Sequence, residues 1–510
     1  MTLKRTRSRT RRRVTDKPKW LQKPFQHVQN PIDPTEWCNS DQLEKIHDAS
    51  MRILEDVGID FMDDEALDVW EKAGAKVNHK DQHVWIDRGL LLELVDKAPA
   101  EFKWHARNRS FDLTIGGNFI NFSPNSGMPY VSDLDGGRRV STLQDFENFI
   151  KMAHAVPYFH FVGGPLCEPQ DVRNSLRHFY RVRVMAHNTD RAIRDTASGR
   201  IIAADTVEMM KIIFGGELPG AVVGGVVNVN SPLRYDNRML GGLITYAKSR
   251  QVSIITPFIM AGAMSPVTMA SALAQQNAEA LAGVALAQLI NPGAPVMYGG
   301  FTQNVDMRSG SPAFGGPEGA WALIVGAQLA RRYGVPYRAS GSLTNSKVPD
   351  AQAAYETMWT MWPAVMAHTN MMMHGVGWLE GGLVASYEKF VIDAENLAMF
   401  THLLNGFEVD ESSFAIDSIH EVGSGGHHFG TQHTQDRYES AFYEPLVTDR
   451  LGFDAWEAAG SEDALKRANK LWKQILRSHE KPLLDQAIAE ELDAFIAKRE
   501  EELEGIDLFN

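Results

Sequence analysis

Aromatic, amide and small hydroxyl residues gather at the ends of short apolar runs in this 510-residue chain, and carboxylates are scarce among them. Phe258, Tyr298, Phe301, Tyr337 and Trp378 offer π-faces, while Arg338, Asn345, Lys347 and His374 offer partners for an anion. Between a strand-like and a helix-like stretch, "RASGSLTNSK" (338–347) strings together small hydrogen-bonding residues with no bulk. Rings of this kind hold quaternary ammonium groups, which donate no hydrogen bond and are attracted to a π-face by about 0.5–2 kcal/mol each. If the same ligand carries a carboxylate, Arg338, Lys347, Asn345 or His374 is suited to anchor it. The competing readings are structural: barrel or helix packing for each ring, an internal ion pair for Arg338, and a satisfied core imidazole for His374. Glycines at 224–225, 299–300, 341, 375 and 377 accompany the set, where a ligand or a large cofactor can approach the backbone.

Other chemistries are poorly served. In "HHFGTQH", His427, His428 and His433 follow no common zinc spacing, and helix capping or partner contact suits them better. There is no G-x-S-x-G elbow and no phosphate-binding loop. "DQHVWI" (81–86) begins like the cobalamin-ligating D-x-H-x-x-G pattern, but Ile86 replaces the glycine and the stretch reads as a hairpin. No metal site is expected.

The elements that must position these residues follow a rhythm. Seven apolar runs, at 159–164, 191–197, 220–230, 252–262, 294–300, 335–341 and 371–377, are separated by loops and helical patterns such as 275–290 and 317–334. Repeated β-then-α with near-continuous apolar strands implies a parallel sheet covered by helices. Seven strands, with an eighth near either end, favour an α/β fold of the closed TIM-type (β/α)8 kind, whose sites lie at the C-terminal ends of the strands. No G-x-G-x-x-G follows the first strand, which weakens an open dinucleotide-binding sheet. The domains expected are a basic, disordered arm (1–38), an N-terminal helix and strand extension (39–140), the barrel (141–430) and a C-terminal helical segment (431–510). In that last segment Ile488, Leu492, Phe495 and Ile496 form an apolar stripe that packs on the barrel or on a second subunit, making a homo-oligomer reasonable.

Composition narrows the partners. Hydrophobic residues make up 44% and charged residues 23%, as in globular proteins with a substantial core. Seven Lys and Arg crowd residues 4–13, and removing them from the net −13 leaves −20 for the remainder, a poor surface for nucleic acid. No run of eighteen apolar residues suggests a membrane span. Two cysteines, Cys38 and Cys167, and no secretory leader fit a reducing cytoplasm.

Longer motifs add a resemblance. "NAEALAGVALAQLINPGAPVMYGGF" (277–301), "DMRSGSPAFGGPEGAWALIVGAQLARRYGVP" (306–336) and "GSLTNSKVPDAQAAYE" (341–356) are similar to the trimethylamine methyltransferase superfamily. So are "LEGGLVASYEKFVIDAE" (379–395), "GSGGHHFGTQHT" and "FYEP". The resemblance implies a TIM-barrel enzyme that moves a methyl group from a methylamine to Co(I) of a separate corrinoid protein, with no cofactor bound tightly by this chain. The founding enzymes carry pyrrolysine within the stretch aligned with Ser340, Gly341 and Ser342; this chain has ordinary residues there. Members of that kind resemble quaternary-amine demethylases, with glycine betaine leading, giving dimethylglycine and methyl-Co(III). Trimethylamine, proline betaine or carnitine-type betaines are alternative donors, and a betaine-binding or corrinoid-docking barrel without catalysis is the non-enzymatic reading. Under the resemblance, Phe258, Tyr298, Phe301 and Trp378 meet the ammonium, and His374, as the catalytic candidate, joins Arg338 or Asn345 on the carboxylate. Gly299, Gly300, Ser340, Gly341 and Ser342 are assigned to the corrinoid side of the mouth.

Overall fold

Eight extended stretches, each followed by a helix, close on themselves in the computed structural model, which describes residues 21, 23–506 and 508. They are β1 (Phe119–Phe122), β2 (160–162), β3 (192–195), β4 (Gly224–Val229), β5 (Val252–Ala261), β6 (Val296–Gly299), β7 (Tyr337–Ser340) and β8 (Met371–Met373). β4 to β8 pair in parallel in sequence order, and β8 pairs in parallel with β1. β2 and β3 complete the ring by single contacts. Phe161 N–H donates to Phe122 O at 3.1 Å, Val162 N–H to Ala192 O at 2.8 Å, and Asp195 N–H to Gly224 O at 3.0 Å. The expected (β/α)8 barrel is the fold, and its seven expected strands are β2 to β8.

The eighth strand is β1. It lies before the boundary expected at residue 141, inside a strand-rich stretch where it read as one of several short strands. Antiparallel pairing of Glu101–Trp104 with Leu113–Gly116 forms a hairpin that plugs the N-terminal end of the barrel. Trp104, fully buried, packs there with Phe161, Ile254, Met297, Met371 and Met373. The barrel is therefore closed below and can hold a ligand only from above.

Helices α1 (Leu143–Ala155), α2 (Arg177–Asn188), α3 (Arg200–Ile213), α4 (Asn237–Lys248), α5 (Met269–Ile290), α6 (Pro317–Arg332), α7 (Ala351–Met366) and α8 (Tyr387–Asn405) surround the strands. α5 is apolar on nearly every face, so the strands alone cannot satisfy it. Helices Ser40–Arg52, Asp64–Lys72 and Arg88–Val95 cover its outer side, which is the structural work of the N-terminal extension. The expected hairpin is present as Lys76–Asn78 with His83–Trp85. His83 has both nitrogens engaged, with Asp60 at 2.7 Å and Val57 O at 2.8 Å, so it is a bracket within this sheet.

The expected disordered arm is corrected for its second half. Val28–Gln29 pairs with Phe119–Ile120, Asn30 donates to Val365 O at 2.9 Å, and the amides of Trp37 and Cys38 donate to Gln328 at 3.0 Å. Those bonds strap residues 28–38 across the barrel. The basic cluster from Lys4 to Arg13 lies outside the described residues. At the other end, Ala464–Ser478 packs on α8 and α1, and Gln486–Glu502 packs on α3. Leu492 and Ile496 are buried by the chain's own barrel, so the C-terminal stripe is an internal contact. No helix among the described residues is long and apolar enough to cross a membrane.

His160 replaces missing ladder bonds between β1 and the strap. Its Nδ1 accepts from Phe122 N–H at 2.9 Å, and its Nε2 lies 3.0 Å from Gln26 O. Burial lowers its pKa to about 3, so the native ring stays neutral where the unfolded ring binds a proton. Between roughly pH 6.5 and 3 the unfolded state therefore holds more protons, and this ring subtracts about 1.4 kcal/mol of stability per pH unit as pH falls. Urea midpoints measured from pH 7 to 4 should fall, and His160→Gln should flatten the decline while lowering the neutral-pH midpoint.

Candidate active site

Strand alternation fixes what faces the barrel axis. From β3, β7 and β8 come Arg194, Arg338 and Ser340, and Met373 with the following His374; from β5 comes Phe258, and from Phe301–Asn304, a short strand after β6 that pairs with the end of β5, comes Phe301. Arg194 and Arg338 are each 1% exposed. Arg194 donates from Nε to Ser123 Oγ at 3.0 Å, and its fork reaches the carbonyls of Pro124 and Asn125 at 3.4 and 3.2 Å. Arg338 donates to Gly300 O at 3.3 Å and to Met373 Sδ at 3.0 Å. Neither makes an ion pair among the described residues, although a guanidinium has five donors in a fork that fits a carboxylate.

Electrostatics register that deficit. Desolvation and the neighbouring Arg194 charge push Arg338 down to about 9, and desolvation pushes Arg194 down to about 10 despite the proximity of Asp195. Burial, with the same two guanidiniums adding to it, holds His374 well below the usual histidine range and so neutral. Nearby acids are already committed. Asp195 pairs with Arg181 at 2.8 Å, and Asp393 pairs with Lys389 at 2.7 Å. Desolvation favours the neutral form of both Lys389 and Asp393, and their attraction opposes it. That pair braces the wall: Ser342 donates to Asp393, Lys389 donates to Ser342 Oγ at 3.0 Å, and Gly377 N–H donates to Asp393 at 2.8 Å. The mouth keeps two surplus positive charges.

Next to them stands an aromatic wall. Phe301 lies 5.1 Å from Phe258, 5.7 Å from Phe314, 5.5 Å from His374 and 6.2 Å from Trp378, centroid to centroid. His374 and Trp378 are 4.7 Å apart, and Arg338 sits 5.4 Å from the Phe301 centroid. His374 takes a left-handed backbone at φ 53°, a conformation uncommon for any residue with a side chain, and Ser340 Oγ holds its Nδ1 at 3.0 Å. A Cβ at Gly382, itself at φ 95°, would strike the Trp378 ring, so glycine there lets the indole lie flat against the loop. Trp378 Nε1 and both polar atoms of the Asn125 amide are buried without a hydrogen-bond partner. Polar atoms in that state can hydrogen-bond to a bound ligand or a water.

The structure brings Phe258, Phe301, Arg338, His374 and Trp378 together; Ser340, expected on the corrinoid side, is fully buried and hydrogen-bonded to His374. Others fall elsewhere. Tyr298 points out of the barrel, its hydroxyl 3.2 Å from Asn277 on α5, because it occupies an outward register position. Asn345 spends its amide on Pro312 O at 3.0 Å and braces the rim loop. A Cβ at Gly299 would collide with Thr256, one at Gly300 would meet the Tyr337 hydroxyl, and one at Gly341 would press Met372. These three glycines serve strand and helix packing, and Ser342 sits behind the wall with Lys389. Sequence reasoning missed Arg194, Phe314 and Asn125. The signal for Arg194 was present: in "RAIRDTA" an inward Ala192 requires an inward residue 194.

Two charges buried without an anion cost stability until one arrives. Arg338→Met should raise the thermal midpoint of the ligand-free protein while weakening a small carboxylate ligand 10- to 100-fold, about 1.5–3 kcal/mol. Scanning fluorimetry with and without ligand reads both effects, and a lower midpoint for the variant would show that Arg338 is structural.

Known proteins resemble this chain along nearly its whole length. A family model described as trimethylamine methyltransferase (MTTB) matches residues 4–504. The chain is 43% identical over 468 residues to a glycine betaine methyltransferase of Desulfitobacterium hafniense, covering 91% of this chain and 97% of that one. It is 29% identical to the trimethylamine methyltransferase MttB of Methanosarcina barkeri, over 92% and 96% of the two chains. The crystal structure of the Methanosarcina barkeri monomethylamine methyltransferase (MtmB) aligns with a TM-score of 0.46 at 9% identity, over 86% of this chain and 98% of that one. A full-length family match and a relative of this identity make the chain a member of the trimethylamine methyltransferase (MTTB) family, an enzyme of methyl transfer.

Proposed function

We propose that this enzyme takes a methyl group from a quaternary amine that also carries a carboxylate, glycine betaine first among them, and delivers it to Co(I) of a corrinoid held by a separate protein. One observation supports the reading above the rest: Arg194 and Arg338 leave two uncompensated positive charges beside an aromatic wall. A betaine supplies what each side lacks, a carboxylate for the guanidiniums and a cation for the rings. Trimethylamine, protonated at neutral pH, brings a cation and no anion, so the arginines repel it. The 43% identical relative, a glycine betaine methyltransferase, points the same way.

Methyl transfer from a quaternary nitrogen requires no proton. The C–N bond breaks with its electron pair remaining on nitrogen, and a neutral tertiary amine, dimethylglycine, leaves. The acceptor corrinoid supplies the electron pair that takes the methyl as Co(I) becomes Co(III). The chain's own residues have three tasks. Arg194 and Arg338 fix the carboxylate deep in the mouth, on the plugged side. Phe258, Phe301, Phe314 and Trp378 strip water from the ammonium and hold it near the rim, so one methyl faces outward. His374, kept neutral by burial and by the arginines, adds a hydrogen bond without adding a third positive charge; its role is to position the ligand. Phe258, Phe301 and Met260 are only half-buried and Asn228 is exposed, so the strand ends leave a face on which a flat acceptor can settle. A roomy rim fits an acceptor arriving on a partner, and His83, bracketed in the N-terminal sheet, is not placed to ligate it.

Purified protein given free Co(I) cobalamin and a panel of donors should form methylcobalamin with glycine betaine, and trimethylamine should stay inert. Methylation driven by trimethylamine, or by no betaine at all, would overturn the reading. Because His374 is neutral throughout, kcat/KM for the betaine should show no histidine inflection between pH 6 and 8, and His374→Asn should raise KM more than it lowers kcat.

A further inference from the structure

Between the end of α8 at Asn405 and Tyr443 the chain leaves the barrel. Hydrogen bonds in this excursion are local: Ser413 with Asp410, Ser418 with His428 and Gln435 with Phe429. Its helices, Glu411–Phe414, Ile416–Val422 and Gln432–Arg437, are each too short to persist unsupported. Its large apolar side chains nevertheless face outward. Phe407 is 88% exposed, Phe429 79% and Phe442 81%, and Val409, Ile419 and Tyr438 are also exposed. None of them belongs to the chain's hydrophobic core. The excursion is rooted firmly, however. Buried Glu395 on α8 accepts from the amides of Val447 and Thr448 at 2.9 Å, which pins the returning strand of chain.

A matching surface lies beside that root. Tyr355, Trp359 and Trp362, spaced i, i+4 and i+7, form an exposed stripe along the outer face of α7. Trp362 lies 5.7 Å from Phe400 of α8, and exposed Met399 and Leu403 carry the patch to the point where the excursion departs. One chain thus bears both an exposed apolar arm and an exposed apolar helix face. Contiguous patches of this kind mark protein interfaces.

We infer that residues 406–442 are a dimerisation arm that covers the α7–α8 face of a second copy of this chain, the exchange being reciprocal. Twofold symmetry uses each arm and each face once. Five aromatic rings in the arm, at about 150–250 Å² each, with the aliphatic side chains between them, reach the roughly 800 Å² per partner of a stable interface. The inference also gives "GSGGHHFGTQHT" a role, since that motif forms the arm's turn and carries Phe429 with His427, His428 and His433. It does not depend on which methyl donor the barrel takes.

Sedimentation equilibrium of the full chain at micromolar concentration should give a mass at least twice 56.8 kDa. Two variants separate the surfaces: Phe407→Asp with Phe429→Asp and Phe442→Asp in the arm, and Trp359→Asp with Trp362→Asp on the face. Each should sediment as a monomer with an unchanged far-ultraviolet circular dichroism spectrum. Mixing them should restore a dimer, because one intact arm then meets one intact face. A monomeric parent protein that associates only with its corrinoid partner overturns the inference, as does a dimer indifferent to both sets of substitutions. Dissociation by one set alone would overturn the reciprocal pairing.

Discussion

Everything at the barrel mouth depends on two guanidiniums buried within each other's field and given no carboxylate. Arg194 and Arg338 are taken out of water and receive carbonyl, hydroxyl and thioether acceptors in return. Such an arrangement is costly in a protein interior until an anion arrives to share the charge. The plug at Trp104, the ring of eight strands and the strap over the barrel exist as a scaffold rigid enough to hold these charges apart from water and close together. The aromatic wall then sits where a ligand's positive end must lie once its negative end is caught. Charge surplus and ring geometry together describe a zwitterion.

A contrast inside the same wall sharpens the point. Lys389 and Asp393 are equally buried but paired at 2.7 Å, and their hydrogen bonds go to Ser342, Thr357 and Gly377. That pair is internally neutral and spends itself on holding the loop after β8. Arg181 is likewise matched by Asp195 and Glu168. Buried Arg191 is a third guanidinium held by carbonyls, those of Val156 and Phe159, but it lies against Phe25 and Phe111 away from the wall, whereas Arg194 and Arg338 stand within each other's field beside the rings.

The barrel was legible in the sequence because parallel strands buried on both faces write continuous apolar runs, and seven of eight were visible as such. β1 was hidden since its neighbours are antiparallel hairpin strands with the same composition. Site residues were legible where the strand ends were clear: Phe301, Arg338, His374 and Trp378 fell together. Tyr298 and Asn345 failed for reasons that composition cannot carry. One occupies the wrong register face, and the other spends its amide on the rim. Gly299, Gly300 and Gly341 were misread because tight packing between strands and helices selects glycine as strongly as ligand approach does. Arg194 required pairing β3 with its neighbours, a long-range fact. The same holds for residues 28–38, whose polar composition hid a strap held by bonds to residues three hundred positions away.

The most direct test removes one end of the ligand at a time. Calorimetric titration with glycine betaine, with its uncharged-head isostere 3,3-dimethylbutanoate and with choline compares the carboxylate against the cation at constant shape. If the two bare arginines govern the site, glycine betaine binds best, 3,3-dimethylbutanoate binds measurably, and choline does not bind. Choline binding as tightly as glycine betaine would contradict the account, since the mouth would then have no need of an anion.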